Sequence, residues 1–296
     1  QGVFLLKQRL VERGYQEVIN YAFVDKTWEE NLSPVAAAIA LQNPIASHLA
    51  VMRTQLLGGL LDTLQRQLKR SAARVKMMEF ASVFLPQVDN TIAQPEKIAA
   101  CWFGAFHPEQ WAETARRVDF YDMKADVEAL FYPRPLTFVA TQHPALHPGR
   151  AANIVLAGKV VGVIGELHPQ WVQSYALGQA PQLFEVDAAA LAPLAVQKVG
   201  LISKQQAVRR DLALLTPESV SVQEVIDALL SVNEPLIQEI SLFDVYRGKG
   251  IAEQQKSLAF KIIMQDTNKT LTDAEVEAVV LRLLESVNRL GIQLRS

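Results

Sequence analysis

The stretch from Ile240 to Ile263 limits the possible folds of this chain more than any other part of its sequence. Two runs rich in β-forming residues, 240–246 and 256–263, flank a connection rich in glycine and lysine. This arrangement is typical of an antiparallel hairpin with an open, charged loop. In the second run, large apolar residues alternate with small or cationic ones, which predicts one buried face and one free face. A free face that carries Tyr246 beside small residues and cations is suited to unpaired bases.

The elements on either side of the hairpin complete a characteristic order. Residues 210–216 form a β-rich run, and residues 292–295 form a short last one. Two capping boxes predict the starts of two helices with apolar residues at helical spacing; they pair Ser221 with Glu224 and Thr272 with Glu275. The order β-α-β-β-α-β predicts a ferredoxin-like domain, in which two helices cover one face of a four-stranded antiparallel sheet. RNA-binding, small-molecule-sensing and structural domains share this fold, so it assigns no function by itself.

Composition excludes several classes of protein. Half of the 296 residues are hydrophobic, but no apolar run approaches the ~20 residues that a membrane span needs. The chain begins at Gln1 without a signal pattern, so we expect a piece of a longer polypeptide. A single cysteine, Cys101, excludes an internal disulfide and indicates a reducing compartment. Residues 203–296 hold 11 Lys and Arg against 13 Asp and Glu. RNA binding by this part would therefore depend on local arrangement and stacking rather than on a basic surface.

The first two thirds of the chain combine helices and strands without regular alternation. Apolar spacing predicts helices at the start of the chain, over 56–68 and over 122–131. Strands are predicted at 16–24, 77–84, 98–104, 136–141, 152–157, 160–167 and 183–187. This mixture favours an α+β module with a mainly antiparallel sheet. The irregular stretch 191–207 is the predicted linker, so we divide the chain into domains at 1–200 and 201–296.

Five motifs in the C-terminal part closely resemble one family. They lie at residues 209–213, 242–248, 256–260, 270–275 and 294–295. In this order they are similar to the ferredoxin-fold anticodon-binding domain of the bacterial phenylalanyl-tRNA synthetase beta subunit. One departure is Gln205-Gln206, where members of the family usually carry Phe-Pro.

The N-terminal part resembles the same subunit. The motifs that carry this resemblance lie at residues 10–18, 42–45, 52–54, 57–61, 79–80, 120–124, 146–150 and 162–169. In the family they belong to a module folded like a class II synthetase catalytic core but lacking its chemistry. The resemblance therefore implies a class II synthetase-like antiparallel-sheet module followed by a ferredoxin-like domain.

The resemblance also implies an anticodon-reading face. Its members would be Ala213, Asp244, Tyr246 and Ser257. Tyr246 would stack on a base, Asp244 would accept hydrogen bonds from a base edge, Ser257 would donate or accept, and Ala213 would leave room. Four cations would meet phosphates: Arg209, Arg247, Lys249 and Lys256. Pattern alone leaves Tyr246 open as an edge aromatic, and the resemblance favours the base platform.

The same resemblance implies partners and a division of labour. The partners would be tRNA(Phe) and an alpha subunit, in a cytoplasmic heterotetramer of two alpha and two beta chains that contacts neither membrane nor DNA. ATP and magnesium would act in the whole enzyme, and this chain itself would hold no cofactor or metal. A class II core needs an arginine two positions before Glu79, where this chain has Met77, and another in a glycine-rich motif that is missing after residues 165–169. We therefore expect no catalysis by this chain alone.

Several features of the sequence allow more than one interpretation. A small-molecule-sensing regulatory module shares the split fold, although the turn at 216–221 lacks the glycine typical of such sensors. His143 and His147 have a zinc-like spacing, but Pro144 and Pro148 exclude a helix there. The basic residues between 66 and 76 form either a solvated helix face or a tRNA contact. The leucines of 56–68 form either core or a contact with the partner subunit.

Overall fold

The structure is a computed structural model that describes residues 2–35, 37–191 and 203–295. The chain divides into two compact units, residues 1–195 and 196–296. Most of the predicted linker, residues 192–202, lies outside the described residues. No helix in the described part of the chain is long and apolar enough to cross a membrane.

The first unit is built on one large sheet. Its helices are α1 (Gly2–Glu12), α2 (Lys26–Leu32), α3 (Leu57–Leu68), α4 (Phe120–Phe131) and α5 (Pro169–Ser174). Its strands are β1 (Gln16–Glu17), β2 (Phe23–Val24), β3 (Val51–Met52), β4 (Val75–Ser82), β5 (Leu85–Pro86), β6 (Ile92–Ala93), β7 (Glu96–Phe103), β8 (Thr137–Ala140), β9 (Leu146–Leu156), β10 (Lys159–Leu167) and β11 (Gln182–Asp187). Within the described residues, seven strands form the sheet in the order β1-β4-β7-β11-β10-β9-β8. The β1–β4 pair is parallel and the other pairs are antiparallel. The predicted α+β architecture with a mainly antiparallel sheet is confirmed.

Apolar layers cover both faces of this sheet. On one face, Leu10 of α1 and Val127 and Phe131 of α4 pack against the sheet. On the other face, α3 packs through leucines that are at most 1% exposed: Leu57, Leu60, Leu61 and Leu64. These leucines are therefore core, and the alternative of a partner contact through them is wrong. The apolar residues of α1 that point away from the core are exposed instead: Val3, Phe4, Leu5 and Val11.

The single strand predicted over 16–24 is also wrong. The chain leaves the sheet after β1 and turns at Asn20, whose backbone and side-chain nitrogens donate to the buried Glu79 carboxylate at 3.1 and 2.7 Å. It then pairs β2 with β3 in a separate ribbon. The sequence pattern also missed α2, which packs closely on α3 because Gly58 has no side chain. A Cβ at this position would lie 2.3 Å from the Trp28 ring.

The second unit has the predicted ferredoxin-like fold. Its elements are β12 (Val208–Pro217), α6 (Val222–Leu230), β13 (Ile237–Tyr246), β14 (Gln255–Met264), α7 (Asp273–Asn288) and β15 (Gln293–Leu294). Within residues 203–295, four strands form an antiparallel sheet in the order β13-β14-β12-β15. Both predicted capping boxes are present at the starts of α6 and α7. Both helices share one apolar core with the inward side chains of the sheet.

Candidate nucleic-acid interface

One face of the sheet in the second unit is not covered by helices α6 and α7. Along β12 and β14, the residues that point toward the helices are buried: Leu212, Leu214, Leu258, Phe260, Ile262 and Met264. Successive side chains of a strand point to opposite faces. Ala213, Ser257 and Ala259 therefore lie on the opposite side, which we call the open face.

The strand register brings four of the predicted site residues together on the open face. Tyr246 of β13 lies opposite Ser257 of β14, and Asp244 lies opposite Ala259. Ala259 in turn lies opposite Ala213 of β12. Ala213, Asp244, Tyr246 and Ser257 thus occupy two adjacent rows across three neighbouring strands.

The Tyr246 ring is held in place by the hairpin loop. It is 37% exposed, and its hydroxyl donates to the Lys249 carbonyl oxygen at 3.2 Å. The loop passes close to the ring at Gly248, where a Cβ would lie 2.9 Å from the Tyr246 hydroxyl oxygen. The hydroxyl therefore orients the ring, and the ring remains accessible from the open face.

Arg295 belongs to this face and was not among the predicted site residues. Its backbone N–H donates to the Ala213 carbonyl oxygen at 2.8 Å, which extends the pairing of β15 with β12. Its guanidinium carbon lies 5.3 Å from the centroid of the Tyr246 ring, and Nη1 lies 3.5 Å from the Ser257 hydroxyl oxygen. The sequence carried a signal, because Arg295 closes a predicted strand that belongs to this sheet.

Both predicted phosphate-binding arginines are paired with carboxylates. Arg209 donates to both oxygens of Asp211 at 2.8 and 3.0 Å, and these bonds lower the pKa of the Asp211 carboxyl. Arg247 donates to both oxygens of Glu218, which lowers the pKa of the Glu218 carboxyl. Both arginine side chains are more than half exposed, so each could bind a phosphate in addition to its carboxylate partner.

The two predicted lysines have different environments. Lys249 is exposed in the hairpin loop. Lys256 is 6% exposed, and its ammonium group donates to the Glu218 carbonyl oxygen at 3.2 Å. It lies opposite the fully buried Thr216. Lys256 is therefore on the helix side of the sheet, away from Ser257, and we leave it out of the interface.

Comparisons with known proteins match both units. Residues 4–188 match the family described as phenylalanyl tRNA synthetase beta chain CLM domain, and residues 203–295 match the ferredoxin-fold anticodon binding domain. The phenylalanine–tRNA ligase beta subunit of Neisseria gonorrhoeae is 49% identical over 99% of this chain. That of Chromobacterium violaceum is 50% identical over 98% of it. The chain belongs to the phenylalanine–tRNA ligase beta subunit family.

Membership of this family confirms the resemblance found in the sequence. The chain spans 37% of the length of each of these two relatives. The first matched family is described as part of a synthetase beta chain and the second as an anticodon binding domain, and neither description favours a regulatory sensing module.

A buried apolar side chain occupies the position where an arginine is expected in an active class II core. Met77 on β4 is 2% exposed and packs in the same cluster as the α3 leucines. Two cations of the basic run near α3 are also structural. Arg74 donates to the Ala105 and Phe106 carbonyl oxygens at 3.1 Å, and the 8% exposed Lys76 pairs with Asp126 at 2.9 Å.

The two histidines with zinc-like spacing each form a hydrogen bond with the backbone two residues further along the chain. The Nδ1 atoms of His143 and His147 accept backbone N–H groups of Ala145 and Gly149 at 3.2 and 3.0 Å. Burial lowers the pKa of His143 to about 4. Among residues 2–35, 37–191 and 203–295, no three His, Cys, Asp or Glu side chains are grouped to hold a metal ion.

Proposed function

We propose that this chain is part of a phenylalanyl-tRNA synthetase beta subunit and binds the anticodon region of tRNA(Phe) while a catalytic alpha subunit attaches phenylalanine. The observation that carries this proposal is the convergence of Ala213, Asp244, Tyr246 and Ser257 on the open face. The domain that presents this face matches an anticodon-binding family.

Two exposed residues of the open face, Tyr246 and Asp244, suit contact with an unpaired base, whereas Ser257 is only 4% exposed. Tyr246 offers an oriented ring for stacking, and Asp244 is an exposed acceptor for the amino group of a base. The buried Ser257 hydroxyl accepts from the Arg295 guanidinium, so Arg295 rather than Ser257 offers N–H donors to acceptor atoms on a base edge. The small side chains of Ala213 and Ala259 leave space for a base in the middle of the face.

Charge supports a mode of binding in which stacking dominates. Residues 203–296 have more acidic than basic side chains, and Arg209 and Arg247 are already paired. A phosphate at either arginine would therefore meet a charge that a carboxylate already partly neutralises, and the affinity should fall only shallowly with salt.

Replacing Tyr246 with alanine should weaken tRNA(Phe) binding more than removing any single cation. Base–aromatic stacking is worth ~1–3 kcal/mol, roughly a five- to hundred-fold change in affinity. This loss is measured as the affinity for tRNA(Phe) of three variants, Tyr246→Ala, Tyr246→Phe and Lys249→Ala. The phenylalanine variant should lose little, since it keeps the ring and removes only one exposed hydrogen bond to the Lys249 carbonyl oxygen. Lys249→Ala should lose less than Tyr246→Ala.

The anticodon arm provides the control for this experiment. On a tRNA that lacks this arm, Tyr246→Ala and the unaltered chain should bind alike. If Tyr246→Ala binds intact tRNA(Phe) normally while its fold is unchanged, the ring is only an edge aromatic and the proposed interface is wrong.

The partner and cofactors follow from the same proposal. The alpha subunit would use ATP and magnesium for adenylation, and two alpha and two beta chains would assemble in the cytoplasm. The exposed apolar side of α1, formed by Val3, Phe4, Leu5 and Val11, supports a protein contact there.

We expect no phenylalanine-dependent exchange between ATP and pyrophosphate by the purified chain alone. The physical reason is the buried Met77, which cannot neutralise a phosphate. A pyrophosphate-exchange assay on chain prepared free of alpha subunit measures this. Exchange above that of a blank without protein would contradict the assignment of all chemistry to alpha.

A further inference from the structure

A second aromatic side chain lies on the open face and has no assigned role. The pairing of β13 with β14 shifts between Leu242 and Asp244, which makes Phe243 the extra residue of a β-bulge. A bulge redirects the side chain of the extra residue. Phe243 is 54% exposed, and the Arg209 guanidinium carbon lies 5.7 Å from the centroid of its ring.

The contact with Arg209 shows that the Phe243 ring lies on the open face. Arg209 lies on the same side of β12 as Asp211 and Ala213, because the three are every second residue along the strand. Asp211 holds the guanidinium through two hydrogen bonds, so the group is oriented before any ligand arrives. The Phe243 ring keeps more than half of its surface free for a further contact.

The pair Phe243 and Arg209 repeats the chemistry of Tyr246 and Arg295. In both, a guanidinium lies within 6 Å of a partly exposed ring, at 5.7 and 5.3 Å from the centroid. The two aromatic residues are three positions apart on β13, a span of about 10 Å along an extended strand. Four-stranded sheets that bind single-stranded RNA stack two or three bases on aromatic side chains in this manner.

We propose that Phe243 and Arg209 form a second base-stacking position, which takes the unpaired nucleotide next to the one on Tyr246. This inference rests on the proposed function, because it adds a second nucleotide to the same RNA. The ring stacks on the base, and Arg209 contacts the base or its phosphate while it keeps its bonds to Asp211.

Binding of the isolated anticodon stem-loop of tRNA(Phe) to the full chain tests this position. Phe243→Ala should weaken binding roughly five- to hundred-fold, whereas Phe243→Trp should bind about as well as the unaltered chain. Phe243→Leu keeps apolar bulk without the ring, and it serves if the alanine variant loses its fold. Leu281→Ala is the matched control, since Leu281 is 60% exposed on α7, outside the open face, and should bind normally.

Stem-loops that lack one base at a time separate stacking from a structural role. The loss caused by Phe243→Ala should vanish when one particular base is missing, and the loss caused by Tyr246→Ala should vanish for the adjacent one. Normal binding by folded Phe243→Ala, or a loss that persists with every stem-loop, overturns the second position. If Tyr246→Ala still weakens binding in that case, the proposed function stands; if the unaltered chain binds no stem-loop, both fail.

Discussion

Replacing Asp126 with asparagine should lower the free energy of unfolding of the first unit by about 3–5 kcal/mol. Asp126 is 2% exposed, and its carboxylate accepts a hydrogen bond from the Arg13 guanidinium. It also accepts from the Tyr15 hydroxyl at 2.7 Å and pairs with the Lys76 ammonium group at 2.9 Å. These bonds join α4 to β4 and to the segment after α1. Asparagine keeps the shape but removes the charge, which leaves the buried Lys76 uncompensated. Desolvation already lowers the pKa of Lys76 in the intact protein.

Urea denaturation followed by tryptophan fluorescence measures this loss. The four tryptophans of the chain, at positions 28, 102, 111 and 171, all lie in the first unit, so their signal does not report the second. Glu128→Gln is the control, because Glu128 is on the same helix and pairs with Lys124 at the surface. It should change stability by no more than about 0.5 kcal/mol. Equal stability of the two variants would show that the Asp126 cluster contributes nothing.

Replacing Leu60 with aspartate should unfold the first unit. The same change at Leu5 should leave the unit folded and abolish only its binding of the alpha subunit. Leu60 is fully buried, so the substitution creates a cavity and buries an unpaired carboxylate, at a cost of at least about 4 kcal/mol. Leu5 is 57% exposed, and its replacement should cost no more than about 0.5 kcal/mol of stability. If α1 contacts the alpha subunit, however, Leu5→Asp should weaken the complex of the two subunits by about 2 kcal/mol or more, roughly thirty-fold in affinity.

Urea denaturation and co-purification with the alpha subunit together distinguish the two positions. The control is Leu281→Asp, which places the same charge on an exposed apolar site of the second unit. A folded Leu60→Asp chain that merely fails to co-purify with alpha would make the α3 leucines an interface. Normal co-purification of Leu5→Asp would exclude this part of α1 from the contact.

Local sequence determined much of the second unit. Its capping boxes and alternating strands specify each element, and β12 and β14 keep their register without a shift. Ala213 and Ser257 could therefore be placed on one face from the sequence. The same alternation puts Lys256 with Leu258 and Phe260 on the buried side, so its exclusion from the face could also have been predicted.

Tertiary structure decided the rest, because those features depend on contacts between distant residues. Simple alternation along β13 would place Phe243 on the side opposite to Tyr246, and the bulge against β14 changes its direction. An apolar stripe on a helix predicts that the stripe is buried, but it does not identify the surface that buries it. Packing on the sheet buries α3, while α1 keeps only part of its apolar surface against the sheet and α4. The turn at Asn20 likewise depends on the Glu79 carboxylate, 59 residues away along the chain.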